Sequence, residues 1–286
     1  MSNDTILLLG GTGKTARRIA PLLRAAGAKV RTAARRGADV VFDWDDPTSW
    51  GPALSGVGVV YVVPPSGRLD YPPVVTAFVD RAEAAGVHHV TFLAARGVDQ
   101  LPPEAPPRAV ELDLAARSSL THSVVRPGWF LHNFSEGWLR PVGGRIAAPT
   151  GDGAEAFVHA DDIAEVAAAT LLHPEDHDGA GYTLAGPEAL TFGDIAAGIT
   201  AATGLPVVHD DVTREAWVAQ QVAGGLPQDY AELLGGLLDE RVRNGVSAAG
   251  TPDIEKVTGH APRSFADYAA DPAVVEAWRQ AVAQTD

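Results

Sequence analysis

Short apolar runs alternate with helical patterns along the first two thirds of the chain. Strand-length apolar runs occupy residues 5–9, 28–34, 40–42, 59–63, 87–95 and 121–127. Between several of them, apolar residues recur every three or four positions, as they do within residues 71–85 and 109–119. Continuous apolar strands joined by helices are typical of a parallel sheet that is covered on both faces. The pattern therefore predicts an α/β fold built on a doubly wound, mostly parallel sheet.

The last third of the chain has a different pattern. From Gly186 onward, helical periodicity dominates, in residues 192–203, 214–224, 230–243 and 272–284. Just before this region, residues 157–164 form one more strand-to-helix pattern and residues 182–184 a last short strand. We therefore predict a smaller, mainly helical C-terminal domain beside the sheet.

Composition and charge narrow the class of protein. The 286 residues are 46% hydrophobic and carry a formal charge of −14, which disfavours nucleic acid and anionic membranes as partners. No apolar run reaches the roughly 18 residues that a spanning helix needs, and Met1–Asp4 contain no basic leader segment. The chain has no cysteine. We expect a cytoplasmic protein that acts on a small molecule and uses no metal ion.

A glycine cluster interrupts the pattern directly after the first strand. The segment Gly10-Gly11-Thr12-Gly13-Lys14-Thr15-Ala16 separates an apolar strand from the helical pattern that contains Ile19 and Leu23. Its spacing, Gly10-x-x-Gly13-x-x-Ala16, is a compressed form of the dinucleotide fingerprint. Glycines let the backbone turn tightly and approach a pyrophosphate, whose charge then lies at the helix N-terminus. This turn therefore predicts a dinucleotide site in a Rossmann-type sheet.

A P-loop NTPase is the alternative interpretation of the Gly13-Lys14-Thr15 triplet. That motif needs a glycine five positions before its Gly-Lys pair, and this chain has Leu8 there. The apolar run of residues 59–63 ends in Pro64-Pro65, without the acidic residue that would hold magnesium. The sequence excludes this class.

The end of the second predicted strand bears on the choice of cofactor. Arg35 and Arg36 follow that strand, and no carboxylate occurs before Asp39. An acidic residue at this point binds the ribose 2′-hydroxyl of NAD, whereas arginine accommodates the 2′-phosphate of NADP. The charges favour NADP(H).

The third strand leads into an acidic and aromatic segment. Asp43 and Trp44 would lie near the adenine, where a carboxylate can accept from the exocyclic amine and an indole can stack. Alternatively, Trp44 is an anchor that packs the loop onto the core. The sequence leaves both interpretations open.

A second aromatic cluster follows the sixth strand. Trp129, Phe130 and Phe134 lie near Asn133, just beyond two backbone breakers, Pro127-Gly128. This segment is a pocket wall for a flat apolar ligand, a packing junction between sub-domains, or both.

Histidines offer the remaining candidates for proton transfer. His132 and His159 are possible catalytic residues by type alone. His88 and His89 begin the fifth strand, at the sheet edge away from the glycine motif, and we expect both at the surface.

With these motifs in hand, the chain resembles the NmrA-like group of atypical short-chain dehydrogenases/reductases. Within it, the chain is most similar to the branch of ergot-alkaloid iminium reductases, quinone reductases and natural-product ketoreductases. The resemblance rests on the glycine motif, residues 42–44, 62–65 and 125–133, and Val158-His159-Ala160-Asp161-Asp162-Ile163-Ala164. It implies NADP(H) bound across the strand ends and a substrate pocket formed by the C-terminal domain.

Motifs and resemblance together define the predicted sites and domains. The cofactor residues are Gly10, Thr12, Gly13, Lys14, Thr15, Arg35, Arg36, Asp43, Trp44, Pro64, Pro65, Ala94, Arg126 and Pro127. The substrate-pocket residues are Trp129, Phe130, Asn133 and Phe134. We assign residues 1–128 and 150–185 to the NADP-binding Rossmann domain and residues 129–149 and 186–286 to the substrate domain.

The chain departs from the wider superfamily at its usual acid. That acid is a Tyr whose pKa is lowered by a Lys four residues later, and no Tyr-x-x-x-Lys occurs here. The corresponding helix has Arg108 and Glu111, and the fifth strand ends in Ala94-Ala95 where a Ser is expected. The sequence therefore predicts an NADPH-dependent reductase of a flat aromatic natural product such as a polycyclic polyketide, with a ketone favoured over a quinone or an iminium. A non-catalytic, NADP-sensing regulator is the alternative.

Overall fold

The computed structural model describes residues 4–284. Residues 1–3, which belong to the segment inspected for a leader, and residues 285–286 lie outside the described part. The strands are β1 (Thr5–Leu9), β2 (Lys29–Ala34), β3 (Val40–Val41), β4 (Val57–Val62), β5 (His89–Leu93), β6 (Thr121–Pro127), β7 (Arg145–Ala148), β8 (Ala154–Glu155), β9 (Ala180–Leu184), β10 (Leu190–Thr191) and β11 (Val208–Asp211).

Helices follow most of these strands. The α-helices are α1 (Ala16–Ala25), α2 (Trp50–Leu54), α3 (Pro72–Ala84), α4 (Pro106–Ala115), α5 (Asn133–Glu136), α6 (Ala160–Leu172), α7 (Phe192–Thr203), α8 (Arg214–Ala223), α9 (Gln228–Gly236), α10 (Asp253–Thr258), α11 (Phe265–Ala269) and α12 (Pro272–Ala283). A π-helical segment, Leu237–Val242, continues α9.

The chain divides into two compact units. Unit 1 contains residues 1–127, 160–184 and 253–260, and unit 2 contains residues 128–159, 185–252 and 261–286. The predicted boundaries placed residues 150–159 with the sheet and residues 253–260 with the helical domain. The structure places residues 150–159 in unit 2 and residues 253–260 in unit 1.

Unit 1 is a seven-stranded sheet in the order β3-β2-β1-β4-β5-β6-β9. Every pair of neighbouring strands is parallel. Helices α1 and α6 pack together, as do α3 and α4. All six residues of β4 are buried, as a central strand covered on both faces requires. The predicted doubly wound α/β fold is confirmed.

His89 is buried, so the expectation that it lies at the surface is wrong. Its Nδ1 lies 2.8 Å from Thr121 Oγ1, and its Nε2 lies 3.3 Å from the hydroxyl oxygens of Thr91 and Ser123. These three hydroxyls satisfy the imidazole inside the sheet. Burial lowers the pKa of His89 to about 4, so the ring is neutral at pH 7. His88 is partly exposed and contacts Asp4.

The segment of residues 253–260 belongs to unit 1 because both of its ends bind there. The Asp253 carboxylate accepts the backbone N–H of Thr183 at 2.8 Å, at the end of β9. His260 Nε2 lies 2.6 Å from the Glu165 carboxylate on α6. Helix α10 also packs on α6 and β9. Such contacts join residues about 70 to 95 positions apart.

Unit 2 combines helices with two small two-stranded sheets. β8 pairs with β10 in antiparallel fashion and β7 with β11 in parallel, which is why residues 150–159 belong here. Its core contains Trp217, Trp278, Phe192 and Tyr268, all fully buried. Local sequence signals determine both ends of α7. It begins with a capping box between Thr191 and Asp194 and ends at Gly204, which has a left-handed conformation.

None of the helices among residues 4–284 is long and apolar enough to cross a membrane.

Candidate cofactor site and buried histidine cluster

The glycine loop joins β1 to α1 at the carboxyl edge of the sheet. Gly10 has φ +65°, a left-handed conformation that glycine adopts without strain. The Gly13 N–H donates to the Gly10 carbonyl at 2.7 Å and closes the turn. A Cβ on Gly11 would lie 2.7 Å from Thr32 Cβ, so the loop can approach β2 only as glycine. The loop therefore packs closely against β2, where the Gly11 N–H donates to the Ala33 carbonyl at 2.9 Å.

The loop also lies at the topological switch point of the sheet. β1 is flanked by β2, which follows it in sequence, and by β4, where the strand order reverses. In open parallel sheets, ligands bind at this crevice beyond the carboxyl ends of the strands. The Arg17, Arg18 and Ile19 N–H groups already donate to the Gly13 and Thr15 carbonyls. An anion would therefore bind at the backbone of the glycine loop, next to the positive end of the α1 dipole. The glycine cradle therefore fits the pyrophosphate of a dinucleotide.

Lys14 and Thr15 interact with residues outside the glycine loop. The Lys14 carbonyl accepts from Arg18 Nη1 at 2.8 Å, and Arg18 Nε pairs with the Asp161 carboxylate of α6 at 2.9 Å. Thr15 is almost fully buried and its hydroxyl interacts with Tyr61 of β4. Burial raises the pKa of the Tyr61 phenol, against the opposing effect of the Thr15 hydroxyl. Thr12 is exposed at the top of the loop.

Arg35 and Arg36 are exposed at the carboxyl end of β2. Neither side chain makes a hydrogen bond or ion pair with any residue from Asp4 to Gln284. Asp39, by contrast, is engaged: its carboxylate accepts the Thr32 N–H at 2.8 Å and the Thr32 hydroxyl at 2.9 Å. These bonds to Thr32 hold the pKa of Asp39 below its ordinary value. The strand end therefore presents the two guanidinium groups of Arg35 and Arg36, whereas the nearby Asp39 carboxylate is held by Thr32 and Arg24.

Trp44 packs into an aromatic cluster. Its ring lies 5.0 Å from Phe42, 5.3 Å from Phe78 and 6.3 Å from Trp50, all edge to face. The Asp43 carboxylate accepts the Asp45 N–H at 3.1 Å and shapes the turn that follows β3. These contacts support the anchor interpretation of Trp44, and contact of either residue with adenine stays a prediction.

The other predicted cofactor residues lie at the ends of neighbouring strands. Pro64 and Pro65 follow β4, Ala94 follows β5, and Arg126-Pro127 end β6. The topology thus brings them to the same sheet edge as the glycine loop. Arg126, however, is bound within the protein: its Nε and Nη2 donate to the Glu111 carboxylate at 2.8 and 3.0 Å. This pair, which joins α4 to β6, was not foreseen from the sequence.

In unit 2, the two candidate histidines lie together. The His132 and His159 rings are 4.7 Å apart, edge to face, and both are buried. The backbone brings them together, because the Leu131 N–H donates to the Val158 carbonyl and the Val158 N–H to the Trp129 carbonyl. Their proximity joins two motifs that are about 30 residues apart in sequence.

Tyr268 completes this histidine cluster. Its ring lies 4.7 Å from His132 and 5.7 Å from His159. The Tyr268 hydroxyl donates to Ser135 Oγ at 2.7 Å. Tyr268 was not predicted from the sequence, because it lies in a short helix, Phe265–Ala269, far along the chain from both histidines.

The predicted substrate-pocket residues have different environments. Trp129 and Phe130 are partly exposed, so they can line a pocket, and Asn133 is nearly buried. Phe134 is fully buried between Phe157 and Phe192, with ring distances of 5.2 and 5.4 Å. The assignment of Phe134 to a pocket wall is therefore wrong. It lies at the second position of a short helix whose inner face enters the core of unit 2.

None of the five tyrosines is part of the usual Tyr–Lys acid. Tyr61 is buried under the glycine loop, and the Tyr182 hydroxyl is 2.6 Å from His177 Nδ1. Tyr71 and Tyr268 are buried, and burial raises the pKa of Tyr230. Helix α4 contains neither a tyrosine nor a lysine.

A cavity of about 820 Å³ opens at the opposite, amino edge of the sheet. It is lined by the C-terminal ends of α1, α4 and α6 and by residues that include Asp4, His88, His122, His173 and Asp178. Because dinucleotides bind at the carboxyl edge, this cavity is separate from the cofactor site.

Comparison with known proteins agrees with this geometry. Residues 10–174 match the model of an NAD(P)H-binding family. An uncharacterized oxidoreductase, YesF, from Bacillus subtilis is 36% identical over 94% of this chain and 96% of its own length. Agroclavine dehydrogenase from Claviceps fusiformis is 32% identical, over 93% and 96%. The crystal structure of Citrobacter sp. triphenylmethane reductase with NADP(H) shares the fold, with a TM-score of 0.70, 21% identity and coverage of 97% and 99%. The chain belongs to the NAD(P)H-binding family of oxidoreductases.

Proposed function

We propose that this protein is an NADPH-dependent reductase of a flat aromatic small molecule that carries or spares its own proton. The observation that carries this proposal is the combination of a complete dinucleotide cradle with no Tyr–Lys acid on α4. The cradle is the glycine loop with α1, and α4 bears Arg108 and Glu111 instead.

Each part of the cofactor has a group on this chain that suits it. The glycine loop and the first turn of α1 would hold the pyrophosphate. Arg35 and Arg36 would hold the 2′-phosphate, because both guanidinium groups are exposed and have no partner among the described residues. When bound, the reduced nicotinamide supplies the hydride. The chain's own residues position it at the ends of β4, β5 and β6.

The missing acid restricts the acceptor. Reduction of an isolated ketone makes a strongly basic alkoxide, which favours a positioned acid. An iminium needs no proton, and a quinone yields a phenolate that water can protonate. A ketone beside a phenolic hydroxyl takes its proton from within the substrate. The acceptor class that fits is therefore a polycyclic hydroxy ketone, which we favour, or a quinone or iminium.

Two further observations support a flat acceptor. Trp129 and Phe130 remain partly exposed in unit 2, where their rings can stack on a planar ligand. Among the relatives, one is named for agroclavine and the structural neighbour for triphenylmethane dyes. The names agree with an aromatic substrate for this chain.

Loss of nicotinamide absorbance tests the proposal. NADPH is mixed with the protein and one acceptor from each class: a hydroxy ketone such as a hydroxylated anthrone, a quinone and an iminium. We expect turnover with at least one class. If no acceptor is reduced while NADPH binds with measurable affinity, the protein is a nucleotide-binding regulator and the proposal is wrong.

The proton source is tested by single substitutions that remove candidate acids. The variants are Tyr71→Phe, Tyr268→Phe, His132→Gln and His159→Gln, each checked for folding by circular dichroism. We expect kcat to change by less than about tenfold in all four. A loss beyond about 10²-fold in one of them, with cofactor affinity unchanged, would identify a protein acid and refute the proton-sparing mechanism.

A further inference from the structure

Two arginines on the cofactor side of unit 1 share one buried carboxylate. The Glu111 side chain on α4 is 2% exposed. It accepts Arg126 Nε on Oε1 at 2.8 Å and Arg126 Nη2 on Oε2 at 3.0 Å. The same Oε2 accepts Arg108 Nη1 at 2.9 Å. The group of three therefore carries a net charge of +1.

Arg126 is the member that is locked in place. Its guanidinium makes a bidentate pair with Glu111, and its Nη1 lies against Gly181 of β9, where a side chain would collide with it. Burial by itself lowers the pKa of Arg126, but the bonds from Glu111 raise it above its ordinary value. Arg126 therefore stays charged and neutralises the carboxylate.

Arg108 is the member that remains available. Its side chain is 26% exposed and uses Nη1 on Glu111. Among residues 4–284, its other N–H groups have no protein acceptor. A guanidinium has five donors in a rigid fork, so Arg108 keeps donors that point away from the Glu111 contact. The excess positive charge of the group thus lies on Arg108.

Arg108 lies at the edge of the sheet where the proposed hydride transfer takes place. It lies in the first turn of α4, which follows β5 and begins at the carboxyl edge of the sheet. This is the same edge as the glycine loop. The shared carboxylate fixes the Arg108 side chain there without neutralising it.

We propose that Arg108 stabilises the negative charge that forms on the acceptor oxygen. This inference rests on the proposed function. Hydride transfer would break a C–H bond of the reduced nicotinamide, which becomes NADP⁺, and form a C–H bond at the ketone carbon. The C=O π pair would then move onto oxygen, which becomes an alkoxide. In a quinone, the electron pair moves onto a carbonyl oxygen, which becomes a phenolate. Arg108 donates hydrogen bonds to this oxygen and keeps its proton, because a guanidinium does not deprotonate in proteins. Water or a neighbouring substrate hydroxyl supplies the proton. Glu111 is a positioning residue for Arg108.

Binding of two probes of similar shape tests the inference without turnover. Lawsone is a flat naphthoquinone whose hydroxyl is ionised at neutral pH, and menadione is its neutral methyl analogue. Their Kd values are measured with the NADP⁺-loaded protein by fluorescence quenching. The variant is Arg108→Gln, which leaves the Glu111–Arg126 pair intact. The matched control is Arg117→Gln, which breaks ion pairs with Asp80, Glu83 and Asp113 at the amino end of the sheet.

We expect Arg108→Gln to weaken lawsone binding by about tenfold or more and menadione binding by less than about twofold. Arg108→Lys should recover part of the lawsone affinity, because it keeps the charge but not the fork. Arg117→Gln should change neither Kd. Equal shifts for both probes, or no shift, would show that Arg108 is only a structural partner of Glu111 and would overturn the inference.

Turnover adds a second readout that a structural role would not produce. Arg108→Gln should lower kcat for a neutral quinone or ketone by about tenfold or more. A cationic acceptor such as a triarylmethane dye loses positive charge on reduction, so its kcat should not fall. A uniform loss with both acceptor types would overturn the inference. If the unmodified protein reduces no acceptor and binds neither probe, the proposed function itself is wrong and this inference falls with it.

Discussion

The cofactor preference can be tested at the two arginines that follow β2. In Arg35→Ala/Arg36→Ala, both exposed guanidinium groups are removed. Neither makes a hydrogen bond or an ion pair with the described part of the protein, so folding should be unaffected. Asp39 stays bound to Thr32, so the change does not create a free carboxylate for the 2′-hydroxyl of NADH.

The magnitude follows from exposure and from the charge of the ligand. An exposed ion pair between two side chains contributes only about 0.2–1 kcal/mol. A 2′-phosphate carries nearly two charges and accepts charge-assisted bonds from both guanidinium groups, which contribute about 1.5–3 kcal/mol when one partner is charged. We therefore expect the preference for NADPH over NADH to fall by a total of about 1.5–3 kcal/mol, or roughly tenfold to one hundredfold.

Titration of the protein with NADPH and with NADH, followed by nicotinamide fluorescence, gives both Kd values. The double variant should lose NADPH affinity and keep NADH affinity within about twofold. Arg81→Ala is the matched control, because it removes an exposed cation from the last turn of α3, at the amino edge. Equal affinities for the two cofactors in the unmodified protein, or an unchanged ratio in the double variant, would refute the reasoning.

Three other changes test the loop, the buried histidine and the core. Gly13→Val should abolish NADPH binding in a folded protein, because its Cβ would lie 3.0 Å from the Gly10 carbonyl and open the turn; saturation with NADPH at unchanged Kd would contradict this. The pKa of His89 is about 4 in the folded protein against an ordinary 6.5, so the unfolded chain binds the proton first as the pH falls. The free energy of unfolding should therefore decrease by about 3 kcal/mol as the pH is lowered from 6.5 to 4. Urea melts of His89→Gln should show a flatter pH dependence, and an unchanged slope would exclude His89 as the cause. Phe134→Ala should cost about 3–5 kcal/mol of stability by leaving a cavity, whereas a change in substrate KM at full stability would return it to the pocket wall.

Local patterns predicted the sheet and the loop because their signals lie within a few residues. An apolar run, a glycine turn and a helical period are contiguous from Thr5 to Ala25, so the sequence alone identified the cradle. The free state of Arg35 and Arg36 agrees with the charge argument. It could not be read from the sequence, since nothing there says that Asp39 binds Thr32.

The features that escaped prediction depend on contacts between distant residues. Glu111 and Arg126 are 15 positions apart on a helix and a strand, and their pairing exists only once α4 packs beside β6. The burial of His89 depends on the hydroxyls of Thr121 and Ser123, which the neighbouring strand β6 supplies. Phe134 belongs to an aromatic cluster with Phe157 and Phe192, which lie far along the chain from it.

The division of the chain has a consequence for recombination. The polypeptide passes between the two units after residues 127, 159, 184, 252 and 260, so each unit is assembled from three separate segments. No single crossover between this gene and that of a relative can exchange one unit intact. A chimera that carries the unit 2 of a relative on this unit 1 requires all five junctions to be rebuilt together. Each unit is therefore expected to change by point substitution rather than by exchange of a module.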